Sequence, residues 1–171
     1  MNRLPLLLTL ALLTGCATTS GARNLTAEEE NKRLARAFIE EIYNQRQLDR
    51  IPVYVAPDFV DLSQNASPED RGPDSVRKQV EQSIQAIPDL RFDIQHLISE
   101  GDLVLIHWKA TGTDAKAVDE AGQPRPLTLH GHSLFRMRAG QLLESWDITD
   151  QLGMLLQRGY KLLPPPAVSA P

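Results

Sequence analysis

The residue best placed to do chemistry is Asp147, which follows Trp146 near the end of an apolar stretch, 142–148. A carboxylate removes a proton from carbon when carbonyls flank that carbon and the carboxylate is basic enough. Burial in an apolar pocket raises a carboxyl pKa toward the working pH and so makes the better base. Two readings stand for Asp147: a pocket acid/base, or one of a pair with Asp150 that ends a strand and caps the last helix. Asp61 reads as a second pocket acid or, with Asp58, as the solvated end of a short strand. His130-Gly131-His132 places two imidazoles at i and i+2, a spacing that can bind zinc or copper on a strand. No third ligand is evident, so these histidines read as polar residues of a sheet or dimer face, and no metal is expected. His96 and His107 stand alone. Trp108 and Trp146 read as core or interface anchors.

Cys16, the single cysteine of the 171 residues, carries a different chemistry. Arg3 and a leucine-rich run, 4–13, precede Leu13-Thr14-Gly15-Cys16, the layout of a secretory signal. Small residues before cysteine, without an Ala-x-Ala site, resemble a bacterial lipobox. The run is too short to span a bilayer, which takes about 20 residues. The expectation is a signal peptide over 1–15, lipidation at Cys16 and a place on the periplasmic side of the cell envelope. Membrane attachment would then be through lipid alone. Ala17 lacks the aspartate that often retains lipoproteins in the inner membrane, which favours the outer one. Loss of 1–15 removes Arg3, leaving 17 basic against 22 acidic residues and a net charge of −5. That balance argues against nucleic acid as a partner.

Helices are expected first. Leu34, Ala35, Phe38, Ile39 and Ile42 form one helical stripe behind Thr26 and Glu29, a capping-box pair, which gives a helix over 27–44. A short helix over 47–56, an extended segment over 58–62, a loop over 63–73 and a third helix ending at Pro88 follow. Alternation at Phe92, Ile94, His96 and Ile98 marks a strand, and 103–113 a second. A polar loop over 114–125, strands over 127–137 and 142–148, and a helix over 150–158 before Gly159 complete the pattern. Helices followed by antiparallel strands make an α+β fold, a curved and mainly antiparallel sheet packed against N-terminal helices.

The turn between the last strands decides what faces Asp147. Alanine resists the positive φ that a two-residue turn at Ala139-Gly140 needs. A three-residue loop with Gly140 alone left-handed pairs Met137 with Gln141, Ser133 with Ser145 and Gly131 with Asp147. Ser133, Phe135, Leu143, Ser145 and Asp147 then share a face, opposite His130, His132 and Trp146.

Several stretches together resemble one family: Asn31-Lys32 with Phe38-Ile39-Glu40-Glu41-Ile42-Tyr43-Asn44, Ala56-Pro57-Asp58-Phe59-Val60-Asp61, and Ile87-Pro88-Asp89-Leu90-Arg91. Leu134-Phe135-Arg136, the run from Gly140 to Asp147, and Gln151-Leu152-Gly153-Met154-Leu155-Leu156-Gln157 extend the likeness over 28–159. They resemble the SnoaL-like polyketide (ester) cyclases of the nuclear-transport-factor-2-like superfamily. The resemblance implies a cone-shaped fold around one apolar pocket, and ring closure by intramolecular aldol condensation without metal or cofactor. It places the family's acid/base aspartate on Asp147 and a polar pocket residue on Asp61. The family's pocket histidine falls on Ser133, and the histidine that many relatives carry after Asp61 is here Leu62. Asp61 and Ser133 would orient the substrate. Superfamily members often pair through the convex sheet face, which implies a homodimer.

The expected organisation is a signal peptide (1–15), a flexible tether (16–24), a cone domain (25–161) and a disordered Pro-rich tail (162–171). Two functions fit it. One is a cofactor-independent acid/base enzyme of cyclase, isomerase or hydrolase type, acting on a small, largely apolar carbonyl compound. The other is a non-catalytic pocket for a small apolar ligand, or an interaction module at the envelope.

Overall fold

The computed structural model describes residues 20–63, 66–119 and 121–164. The expected signal segment, Cys16 and the last seven residues of the tail lie outside them.

Helix α1 runs from Ser20 to Phe38 and continues as a π-helical turn, Ile39–Asn44. It starts earlier than the capping-box pattern indicates, so Thr26 lies inside the helix and residues 20–24, expected as tether, belong to it. Ala22, Arg23, Leu25 and Ala27 favour helix, Gly21 falls in the first turn, and no proline interrupts the stretch. Ala35, Phe38, Ile39 and Ile42 are buried, as their spacing requires. In the π turn the N–H of Gln45 reaches back five residues to the carbonyl of Glu40 (2.9 Å). Such widened turns re-aim side chains and recur at functional sites. A 3₁₀ turn (Leu48–Arg50) leads into the four-residue α2 (Ile51–Tyr54), with Pro52 in its first turn. Strand β1 (Val55–Asp61), helix α3 (Gly72–Ala86) and strand β2 (Arg91–Glu100) follow. Strands β3 (Leu103–Val118), β4 (Pro124–Arg138) and β5 (Gln141–Thr149) precede α4 (Gln151–Gln157).

The five strands form one sheet in the order β1-β5-β4-β3-β2, antiparallel except for β1, which lies parallel to β5. The helices and the inner sheet face enclose a single apolar core built from Phe38, Ile42, Val80, Ile106, Trp108, Phe135 and their neighbours. This is the expected α+β cone.

Two local expectations are corrected. Most of the polar stretch 114–125 is strand: β3 extends to Val118 and β4 begins at Pro124. Before Gly131, β4 pairs with β3 alone, so Pro124 and Pro126 remove no hydrogen bond to β5. Asp119 closes the tight return by accepting N–H bonds from Ala121 and Gln123, each 2.9 Å. The second correction is the β4–β5 turn, which has two residues. Ala139 (φ 50°) and Gly140 (φ 82°) are both left-handed, and Arg138 pairs with Gln141. The positive φ at Ala139 is a steric cost that the two-residue connection imposes. A bulge then shifts the register between Met137–Leu142 and Arg136–Glu144. Leu142 rather than Leu143 therefore enters the core, and Ser133 rather than Gly131 stands opposite Asp147.

Candidate active site

Asp147 lies where the register shift sends it, on the concave face of β5 directly across from Ser133 on β4. Asp150, not Asp147, caps α4, accepting the Gly153 N–H at 2.8 Å. Three serines surround Asp147. Ser133 Oγ donates to Oδ1. Ser63 Oγ lies 3.5 Å from Oδ2 and accepts the Asp147 backbone N–H at 2.9 Å. The Ser145 hydroxyl stands between the two acids, 3.5 Å from Asp61 Oδ1, and also favours the charged form of Asp147. Asp61 is held in turn by the Ser63 backbone N–H at 2.8 Å. Parallel pairing sets Asp61 beside Ser145, so β1 and β5 together deliver both carboxylates. The structure thus brings Asp147, Ser133 and Asp61 into one cluster.

Burial is the main influence on Asp147 and raises its pKa from 3.8 to about 6. The nearby charge of Asp61 raises it too, while hydrogen bonds from Ser133, Ser145 and Ser63 oppose the shift. At neutral pH the carboxylate is mostly ionised, with a basicity suited to accepting a proton from carbon.

Ser133 is itself positioned. Trp108 Nε1 donates to its hydroxyl at 3.1 Å, which leaves the serine proton for Asp147. The indole can lie there because its partner on β4 is Gly131. A Cβ at that position would stand 2.2 Å from Trp108 Cζ2 and 2.5 Å from the Ile148 carbonyl oxygen. Trp108 is thus the core anchor that its type suggests and also a link in the hydrogen-bond chain.

Two spaces meet at Asp147. An apolar cavity of about 280 Å³ extends inward between Phe38, Leu90, Phe92, Trp108, Leu129 and Phe135. A polar cleft of about 690 Å³ opens outward between α3 and the end of β5, past Asp61, Ser63, Gln79 and Gln82. The family resemblance implied one apolar pocket. Tyr43 also lines the inner cavity, its ring edge-on to Phe92 (4.9 Å between centroids) and Phe38 (5.7 Å). Burial, with the charges of Asp147 and Asp61, pushes its phenol well above the usual value, so it remains a hydrogen-bond donor. Its hydroxyl donates to no protein group among the described residues.

Tyr43, Ser63 and the donor role of Trp108 have no sequence signal of their own. Tyr43 lies in the π turn, four residues after Ile39, and Ser63 sits in a loop placed by the β1–β5 pairing. The histidines lie apart from this site, on the outer sheet face. His96, His107 and His132 stack across β2, β3 and β4 with ring centroids 5.4 and 4.7 Å apart.

Known structures share this architecture. A candidate polyketide cyclase from Acidithiobacillus ferrooxidans is 25% identical, over 76% of this chain and 94% of that one, with a TM-score of 0.64. IdmH, a candidate polyketide cyclase from Streptomyces antibioticus, is 24% identical, over 76% and 99%, also with a TM-score of 0.64. A SnoaL-like polyketide cyclase from Agrobacterium tumefaciens shares 18% identity, over 74% and 96%, at a TM-score of 0.62. None of the curated proteins compared matches the chain. The model for SnoaL-like polyketide cyclases matches residues 33–158, nearly the whole folded region, and the chain belongs to that family.

Proposed function

We propose that this protein is a cofactor-independent acid/base enzyme that takes a proton from carbon in a small carbonyl compound, with Asp147 as the base. The observation that carries this reading is the Asp147 carboxylate, held by three serine hydroxyls at the mouth of an apolar cavity with a pKa near 6. Asp147 accepts the α-hydrogen of a carbon flanked by carbonyls, and the electron pair moves onto oxygen as an enolate. The Tyr43 phenol donates a hydrogen bond to that oxygen, which stabilises the charge as it develops. When the substrate carries a second carbonyl, the enolate carbon attacks it and closes a ring. The protonated Asp147 then returns its proton to the new alkoxide, so protons balance and the base is regenerated. Asp61 and Ser133 act as positioning residues around the carboxylate.

The test is turnover of β-keto esters and lactones. Asp147→Asn keeps the shape, removes the base, and should lower the rate by roughly 10²–10⁴-fold while ligand still binds. One observation favours a second reading, a non-catalytic pocket for a small apolar ligand: serine stands at position 133, where the family's histidine falls. Wild-type protein that binds such ligands and turns none of them over would establish that alternative.

The reading extends to location and assembly. Lipidation at Cys16 would hold the domain at the envelope. Mass spectrometry of the mature N-terminus tests this, together with detergent partitioning of Cys16→Ser. A homodimer through the outer sheet face is supported by strand register, which aligns Ile98, Leu105, Leu134 and Trp146 in one apolar row across four strands. Ile148, 71% exposed, flanks that row beside His132. Sedimentation at micromolar concentration should give twice the monomer mass, and a monomer there would refute it.

A further inference from the structure

The inner cavity has two charged lining residues, Asp147 and Arg158. Arg158 follows α4, and its Nε donates to Asp114 Oδ2 on β3 at 2.6 Å. Asp114 is almost fully buried, whereas the Arg158 side chain keeps 28% of its surface accessible. The guanidinium is therefore pinned through one nitrogen by an interior carboxylate. Its two terminal amino groups donate to no protein group among the described residues. A guanidinium presents five N–H donors in a rigid fork, and its outer pair matches the two oxygens of a carboxylate.

We propose that Arg158 binds the carboxylate of an elongated acidic substrate whose carbonyl end lies at Asp147, an inference that rests on the acid/base reading of Asp147. The electrostatics of the cavity give the substrate a direction. At one end Asp147 and Asp61 repel an anion, and at the other the Arg158 fork accepts one. Apolar side chains of Leu90, Phe92, Trp108, Leu129 and Met154 lie between, suited to a hydrocarbon or ring system. The cavity volume of about 280 Å³ bounds the size of that body. The ligand class is thus an oxo-acid with an apolar body of about two fused rings or an equivalent chain. Asp114 balances the charge of Arg158, so the anchor works mainly through directed, charge-assisted hydrogen bonds.

The experiment is fluorescence titration with three probes that share one ring system: 6-hydroxy-2-naphthoic acid, its methyl ester, and 2-naphthol. The naphthol hydroxyl stands in for the enol at Asp147, and the carboxylate, present only in the acid, reaches for Arg158. Wild type should bind the acid at least tenfold more tightly than the ester, the range a charge-assisted hydrogen bond supplies. Arg158→Gln should bring the acid down to the ester's affinity and leave the ester and the naphthol unchanged. Because that variant also takes the Nε–H donor away from Asp114, which is almost fully buried, Arg158→Gln with Asp114→Asn removes both charges and should give the same ratio in a folded protein. Three results overturn the proposal: equal binding of acid and ester by wild type, no binding of the acid at millimolar concentration, or equal weakening of all three probes in both variants. Asp147→Asn should preserve the preference for acid over ester. The ratio therefore reports on Arg158 whatever becomes of the chemistry assigned to Asp147.

Discussion

Asp147→Asn should make the protein more stable, and the gain should depend on pH in a set direction. In the folded chain burial raises the Asp147 pKa from 3.8 to about 6, a shift of about two units. Each unit corresponds to 1.36 kcal/mol, so holding the ionised carboxylate in the site costs up to about 3 kcal/mol of stability at neutral pH. The folded state binds the proton more tightly than the unfolded one. Stability from this group therefore rises as pH falls from about 6 toward 4, and the full cost is present above 6. Asparagine preserves volume, still accepts from Ser133, and carries no charge to desolvate. Urea denaturation at pH 7.5 should show the variant more stable by about 1–3 kcal/mol at unchanged m-value. At pH 4 the two proteins should lie close together. Such a gain is expected where a residue is kept for function against its effect on the fold. A variant less stable than wild type at pH 7.5, or a difference that ignores pH, would refute the burial argument.

Ser133→Ala removes a donor that favours the charged form of Asp147, so the Asp147 pKa should rise, moving the acidic limb of any pH–rate profile upward. The same change leaves the Trp108 N–H without its acceptor and should lower stability by roughly 1–3 kcal/mol. Gly131→Ala drives a methyl into the Trp108 ring and the Ile148 carbonyl, and should destabilise by on the order of 1–3 kcal/mol with a change in tryptophan emission. On the outer sheet face, partial desolvation comes first and the charges of His132, His96 and His130 second in pushing the His107 pKa below 6.5. The unfolded chain then binds the extra proton first, so stability from this group is lost as pH falls through about 6.5. His107→Gln should flatten that part of the pH–stability curve, and an unchanged slope would count against the stacked row.

The fold was largely legible because its signals are local. The stripe from Leu34 to Ile42, the alternation at Phe92–Ile98, and Asp150 with Gly159 around the last helix each act within a few residues. The site depends on register and was harder to read. Alanine's resistance to positive φ argued for a longer turn at Ala139-Gly140, but tertiary pairing held Ala139 at φ 50° and a bulge two pairs on shifted the count again. Those two features move Asp147 from opposite Gly131 to opposite Ser133, which is the contact that organises the site. Tyr43 was hidden for a different reason. It stands four residues after Ile39 and so continues the stripe, but periodicity does not tell a core tyrosine from one that lines a cavity. The stretch 114–125 reads as a loop because it is polar, whereas β3 and β4 pair with each other there, past the reach of β5.

The most direct test of the central claim is exchange of the α-hydrogen of a β-keto ester with solvent deuterium, followed by proton NMR as a function of pH. This observes removal of a proton from carbon without requiring the natural substrate or any ring closure. Wild-type protein should accelerate exchange over buffer, with a rate that rises through an inflection near pH 6 and then levels, and Asp147→Asn should lose that acceleration. Exchange no faster than buffer across a panel of such esters, or equal acceleration by wild type and Asp147→Asn, would contradict the assignment of Asp147 as the base.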